Sequence, residues 1–163
     1  MIEISTELVI TPQIVRFERI AGRFSNFIPV MGGRVDVLAR GLIRRMFDTE
    51  GRASGQGRWA RLTDRYLRRR QFPDRPLLRQ TDELYNALTR KGDINQELEL
   101  SRNRYSLSVS TAAGRVLARF IGHQLGLPAK NLPARPMIPD PLPQTFIQQV
   151  RRAVKAYIVR GTT

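Results

Sequence analysis

Apolar residues alternate with polar ones at the start of the chain. Ile2, Ile4, Leu8 and Ile10 fall on one side of a period-two segment, which predicts a short strand over Met1–Ile10. Thr11-Pro12 then sets a capping hydroxyl before a proline suited to the first helical position. Beyond it Ile14, Phe17, Ile20/Ala21 and Phe24 recur at three- and four-residue steps, predicting a helix that Asn26 to Pro29 interrupts. A second amphipathic helix follows over Val35, Leu38, Ala39, Leu42, Ile43, Met46 and Phe47. It leaves Arg40, Arg44 and Arg45 off the apolar stripe, and Gly51 suits its C-terminal cap.

The middle of the chain is broken into shorter pieces. Arg52 to Arg58 reads as a loop, with Trp59 and Leu62 anchoring its far side, and Thr63 suits the cap of a short helix from Asp64 to Gln71. Phe72 to Pro76 is a Pro-flanked connection. Thr81, with Asp82 and Glu83 in the first turn, predicts another short helix that buries Leu84, Tyr85 and Leu88. Period two returns at Leu98 and Leu100, then at Tyr105, Leu107 and Val109, with Arg102-Asn103 between the runs, as in a β-hairpin.

Ala112 to Leu125 leaves the period open: Val116, Ala118, Phe120 and His123 do not settle it, while Leu117, Phe120, Ile121 and Gln124 suit a helix. Leu127 to Pro143 holds six of the ten prolines, which predicts an extended arm lying over the surface or onto a neighbour. Phe146, Ile147, Val150, Val154 and Ile158 mark a last helix from Gln144 to Val159. This order makes an α+β domain: a small antiparallel sheet with a hairpin, packed against two or three amphipathic helices. The expected division is a core over residues 1–126, with the Pro-rich arm and C-terminal helix over 127–163 in the same domain or as an interface element.

Charge changes the picture next. The net charge is +14, and 25 of the 28 basic residues are Arg, the side chain better fitted to bidentate contact with phosphate or carboxylate. The excess is local. Residues 51–80 carry nine basic and two acidic residues and 111–163 carry eight and one, whereas 1–50 and 81–110 are close to neutral. Such blocks imply polyanions or acidic assembly partners. Arg61, Arg65, Arg68, Arg69 and Arg70 form the densest cluster and are the candidate DNA- or partner-facing residues.

The parts for catalysis are missing. No Cys and a single His remove disulfides, thiol catalysis and the usual zinc sets, so no cofactor or metal is expected. Asp48 with Glu50 closes a helix and Asp82 with Glu83 starts one, so neither pair forms an acid/base dyad. Ser54-Gly55-Gln56-Gly57 lacks the Lys-Ser/Thr of a phosphate-cradling loop. His123 is expected to pack or hydrogen-bond, and no catalytic residue is assigned. No apolar run is long enough to cross a membrane, and the acidic N-terminus is unlike a secretory signal.

Three stretches bear a resemblance. They are Phe47-Asp48-Thr49-Glu50-Gly51 with Trp59-Ala60-Arg61-Leu62-Thr63; Leu77-Leu78-Arg79-Gln80-Thr81-Asp82-Glu83-Leu84; and Phe120-Ile121-Gly122-His123-Gln124-Leu125-Gly126 followed by Leu132-Pro133-Ala134-Arg135-Pro136-Met137. In order and spacing they resemble the phage virion morphogenesis family, the Mu-like and P2-like tail completion proteins, from about residue 40 to the C-terminus. The chain departs from the family at Asp82, where Gly is usual, and at Met137-Ile138-Pro139, where Phe-Leu-Gly is usual.

The resemblance implies a structural protein of the virion neck or upper tail, assembled in the host cytoplasm. It would form a homo-oligomeric ring, expected to be hexameric, between the head-side connector and the tail terminator or tube proteins, with backbone contact to genomic DNA. Trp59, Leu62, His123, Gln124, Gly126, Pro133, Arg135 and Pro136 are then its structural and interface residues, Arg135 being the expected partner contact. The alternative from composition alone is a basic protein that binds nucleic acid without reading its sequence.

Overall fold

The break after the first helix is built from Asn26. Helix α1 (Thr11–Ser25) ends there, and the Asn26 side-chain oxygen accepts from the Ile28 N–H at 3.0 Å, opening the next helix. The computed structural model describes residues 11–71, 74–102 and 104–161, and the side chains of all of these except 11–17, 65 and 66. The strand expected over Met1–Ile10 and the side-chain pattern through Ile14 and Phe17 lie outside that description.

The second helix starts earlier than its apolar stripe suggests. A single turn, α2 (Ile28–Val30), runs through a π turn (Met31–Val35) into α3 (Asp36–Asp48). The wider π turn shifts the helical period at Gly32-Gly33, which hides this stretch from a 3.6-residue reading. Gly32 is also where the hairpin comes close: a Cβ there would stand 2.9 Å from Leu100 Cδ1.

Helix α3 is the centre of the core. Leu42, Ile43, Met46 and Phe47 are all buried on it. Arg40 is buried too, at 4% exposure, which corrects its placement off the apolar stripe. Its Nε donates to Asp36 Oδ1 at 2.8 Å, its Nη2 donates to Gln96 Oε1 at 3.0 Å, and Tyr105 donates its hydroxyl to the same Asp36 oxygen at 2.8 Å. The i,i+4 spacing brings the ion pair together on one helix, and the hairpin closes over it.

The expected hairpin forms. Strands β1 (Gln96–Ser101) and β2 (Arg104–Val109) pair antiparallel, with Leu98 opposite Leu107 and Leu100 opposite Tyr105. Among the described residues this is the sheet, and with the helices around it the chain is α+β. The short helices are α4 (Asp64–Leu67), which stops before the expected Gln71, and α5 (Glu83–Thr89). Asp82, not Thr81, is the residue before α5. It sits at φ 55° and holds Arg79 and Arg75 through its carboxylate. Residues 114–125, whose period the sequence leaves open, form helix α6 (Gly114–Leu125).

The Pro-rich segment is not an arm reaching away from the body. After a short 3-10 turn (Pro128–Lys130) it returns to the core, where Arg135, Met137 and Pro139 are buried. Met137 packs in the main cluster with Phe47, Trp59, Leu88 and Phe146. Prolines cannot supply ladder N–H groups, but side chains elsewhere satisfy this backbone, so the segment can lie inside without strand pairing.

Helix α7 (Gln144–Arg160) completes the body. Tyr157 donates to the Asn26 carbonyl at 3.0 Å, and Arg23 to the Ile158 carbonyl at 3.2 Å, fastening the ends of α7 and α1 together. Among the described residues no helix is long and apolar enough to cross a membrane.

Candidate functional site

Two of the stretches that carry the family resemblance meet at Trp59, and Leu77 and Leu84 of the remaining one lie in the same buried cluster. The indole is buried and meets Phe47 edge-on, with ring centroids 5.8 Å apart. Its Nε1–H donates to the Pro136 carbonyl at 3.1 Å. The loop before it is closed by Gly51, whose N–H returns to the Met46 carbonyl at 2.8 Å with φ at 92°. A Cβ on Gly51 would meet Trp59 Cδ1 at 2.4 Å, so both the backbone angle and the indole face require glycine.

Gln124 fixes the Pro-rich segment from the other side. Its Oε1 accepts from the N–H groups of Met137 at 3.0 Å and Ile138 at 3.2 Å, while its Nε2 donates to the Ile138 carbonyl at 2.6 Å. One amide thus replaces the ladder that the prolines forbid. Gly126 makes the turn at φ 78°, and a Cβ there would approach Ala134 N at 2.9 Å.

Arg135 crosses beneath. Its N–H donates to the His123 carbonyl at 2.5 Å, and its guanidinium donates to the carbonyls of Ala60 at 2.9 Å and Arg61 at 3.2 Å. At 2% exposure it is an internal strut rather than the surface contact expected of it. Burial follows from those carbonyls, which sit beyond Trp59 in sequence and have no strand partner.

Above Arg135 lies a cleft of about 890 Å³. Its lining includes Arg61 and Arg70, then Arg115, Arg119 and His123 of α6, and Lys130. Its apolar wall includes Leu62, Leu78, Leu84, Leu132 and Pro133. No carboxylate and no Phe, Tyr or Trp ring is among the lining residues described. The nearest acid in the ion-pair network is Glu83 at the start of α5. It bridges two of the cations, accepting from Arg115 at 3.0 Å and from Arg119 at 2.9 Å.

The imidazole of His123 feels this surrounding. Burial, then the charges of Arg135 and Arg119, push its pKa down to about 4, so the ring is neutral at pH 7. Its Nδ1 is buried without a hydrogen-bond partner. The chain has no second imidazole and no thiol, and among the described residues no carboxylate joins it in a ligand set. Among the described residues no group of three His, Asp or Glu side chains is placed to hold a metal ion.

The other residues expected in the site are scattered. Arg68 and Arg69 are exposed in the turn after α4, outside the cleft lining, and the Arg65 side chain lies outside the described residues. Arg70 donates to the Pro76 carbonyl at 3.1 Å. Sequence reasoning missed Arg115, Arg119 and Lys130 as parts of the site. The first two sit at i and i+4, a signal readable only once α6 is known to be a helix.

Against this geometry, no family model, curated protein or solved structure matches the chain significantly.

Proposed function

We propose that the chain is a structural, non-enzymatic virion protein of a tailed bacteriophage, a tail completion or neck protein that forms a ring at the head-proximal end of the tail. One observation carries the reading beyond the order of the motifs. Two motif stretches distant in sequence are bonded across one clasp: Trp59 donates to the Pro136 carbonyl, Arg135 donates to the carbonyls of Ala60 and Arg61, and Gln124 holds the adjoining Met137 and Ile138 backbone. Residues that a family keeps for its fold are expected to meet in this way, whereas unrelated matches would scatter over the body.

The surface fits assembly. Ile121 and Leu125 stand exposed on one face of α6, at 45% and 73%, and offer apolar area for a second copy in a closing heterologous ring. In this reading the ring is expected to be hexameric, joining a head-side connector to the tail terminator or tube, and its residence is the virion neck. The deciding experiment mixes purified protein with detached tails, followed by light scattering and negative-stain imaging. A ring, or density added at the head-proximal tail end, is the expected result; protein that stays apart from tails rejects the reading.

A second reading rests on α7, where Arg151, Arg152, Lys155 and Arg160 are all exposed, and on exposed Arg68 and Arg69. A basic protein that binds nucleic acid through phosphates would use such protruding charges, and its affinity would fall steeply with salt. Tight, salt-sensitive DNA binding by a chain that ignores tails would favour it over the neck.

A further inference from the structure

We infer that the cleft beside His123 is a docking site for an acidic segment of a partner protein, one that alternates carboxylate and apolar side chains. Its volume of about 890 Å³ falls within the roughly 300–1,000 Å³ usual for a ligand site. The chemistry of its wall is mixed. Arg61 and Lys130 are exposed, make no side-chain hydrogen bond or ion pair among the described residues, and share the cleft lining with leucines. An acidic segment would set carboxylates on the cations and apolar residues on Leu62, Leu78 and Leu132.

The chain already contains one instance of this recognition. The Glu83 carboxylate spans Arg115 and Arg119, one oxygen to each guanidinium, which shows that the α6 arginines are spaced for a carboxylate. Each guanidinium retains further N–H donors for a second anion.

Nucleic acid fits less well. Single strands bind on aromatic platforms, and among the described residues no Phe, Tyr or Trp ring lines the cleft, whose one ring is the half-buried imidazole of His123. A duplex presents its phosphates on a convex rod, which protruding charges meet and a leucine-walled hollow does not. The inference rests on the neck reading only for the partner's place in the virion. Docking of a peptide is measured on the isolated chain, so its failure is distinct from a failure to join tails.

The test uses a short fluorescein-labelled peptide of alternating Glu and Leu, followed by anisotropy at low salt with the full chain. A Gln/Leu peptide, oligo-dT and a short DNA duplex serve as comparisons. The Glu/Leu peptide is expected to bind and the Gln/Leu peptide not to. The double variant Arg61→Gln/Lys130→Gln, altered only at exposed side chains, is expected to bind it about five- to tenfold more weakly. As a second readout, the proton resonances of His123, the sole histidine, should titrate at higher pH with peptide present, because an added carboxylate favours the imidazolium. No binding, equal binding by the double variant, or an unmoved His123 titration with peptide bound overturns the inference. So does tighter binding of oligo-dT or duplex that depends on Arg61 and Lys130, which would assign the cleft to nucleic acid.

Discussion

Trp59 donates its indole N–H to the Pro136 carbonyl at 3.1 Å, so one hydrogen bond ties the end of the Gly-containing loop to the Pro-rich segment. Trp59→Phe keeps most of the packing on Phe47 but leaves that carbonyl unpaired, and is expected to cost about 1–3 kcal/mol. Gly51→Ala should cost more than about 2 kcal/mol, since it combines a positive φ with a collision on the same indole. Urea unfolding of both variants checks the order; a Gly51→Ala protein as stable as the parent would contradict the clasp.

Gln124 gives a sharper case because three backbone groups depend on it. Gln124→Leu preserves volume yet strands two N–H groups and a carbonyl of Met137 and Ile138, with an expected loss of about 2–4 kcal/mol. Gln124→Glu retains the acceptor and loses the donor, placing a carboxylate against the Ile138 carbonyl. It should fall between the parent and the Leu variant at neutral pH. Amide hydrogen exchange at Met137 and Ile138 reads this directly: protection should drop there first.

How much of this was open to sequence reading depends on the range of the interaction. The hairpin, α3 and Trp59 as an anchor follow from local periodicity and spacing. The π turn was hidden because Gly32-Gly33 carries no side-chain signal and shifts the period. Helix α6 was left open because it is apolar on two sides: Val116 and Leu117 face the core, while Ile121 and Leu125 face outward. The cleft inherited that gap, since Arg115 and Arg119 become neighbours only on a helix. Long cations such as Arg40 and Arg135 usually lie at the surface; what buries these two is distant in sequence, Gln96 and Tyr105 around one and the carbonyls of residues 60 and 61 under the other.

The Asp36, Arg40 and Tyr105 network should behave as a unit. Removing the cation with Arg40→Ala leaves a carboxylate at 2% exposure, with an expected cost of about 3–5 kcal/mol. Tyr105→Phe should cost about 1–2 kcal/mol. Burial, then the bond to Asp36, raises the Tyr105 pKa, so the folded chain holds this proton more firmly than the unfolded one. Its contribution is complete below pH 10 and declines above it, once the unfolded phenol ionises. Ultraviolet titration of the parent should show a late-ionising phenol that is lost in Tyr105→Phe.

His123 predicts a pH dependence of the opposite sense. Its pKa is pushed down to about 4 in the folded chain against an ordinary 6.5, so the unfolded state binds the extra proton first. The stability tied to the neutral ring is fully present above pH 6.5 and is lost as pH falls from 6.5 through 4. His123→Gln should flatten that limb of the stability curve; Arg135 and Arg119 are the cations facing the ring. Parent-minus-variant differences in the urea midpoint isolate the effect from the carboxylates that titrate nearby; a difference that does not vary with pH would reject it.

The Pro-rich segment gives the strongest contrast between an arm and a core element. An arm over 128–143 could be deleted with the body intact, losing only assembly. Here the deletion removes Met137 from among Phe47, Trp59 and Leu88, takes the guanidinium of Arg135 from two carbonyls, and leaves Trp59 Nε1–H and the Gln124 amide without their partners. The full burial of Met137 alone is worth about 2 kcal/mol, and each polar group stranded inside adds about 1–3 kcal/mol. Together these rival the roughly 5–15 kcal/mol that holds a domain of this size folded. The deletion is therefore expected to abolish cooperative thermal unfolding. A deletion variant that still melts cooperatively would return the segment to the role of an arm. Arg135→Met gives the finer test: it should lower stability by about 2–4 kcal/mol, whereas a residue that served only a partner would leave it unchanged.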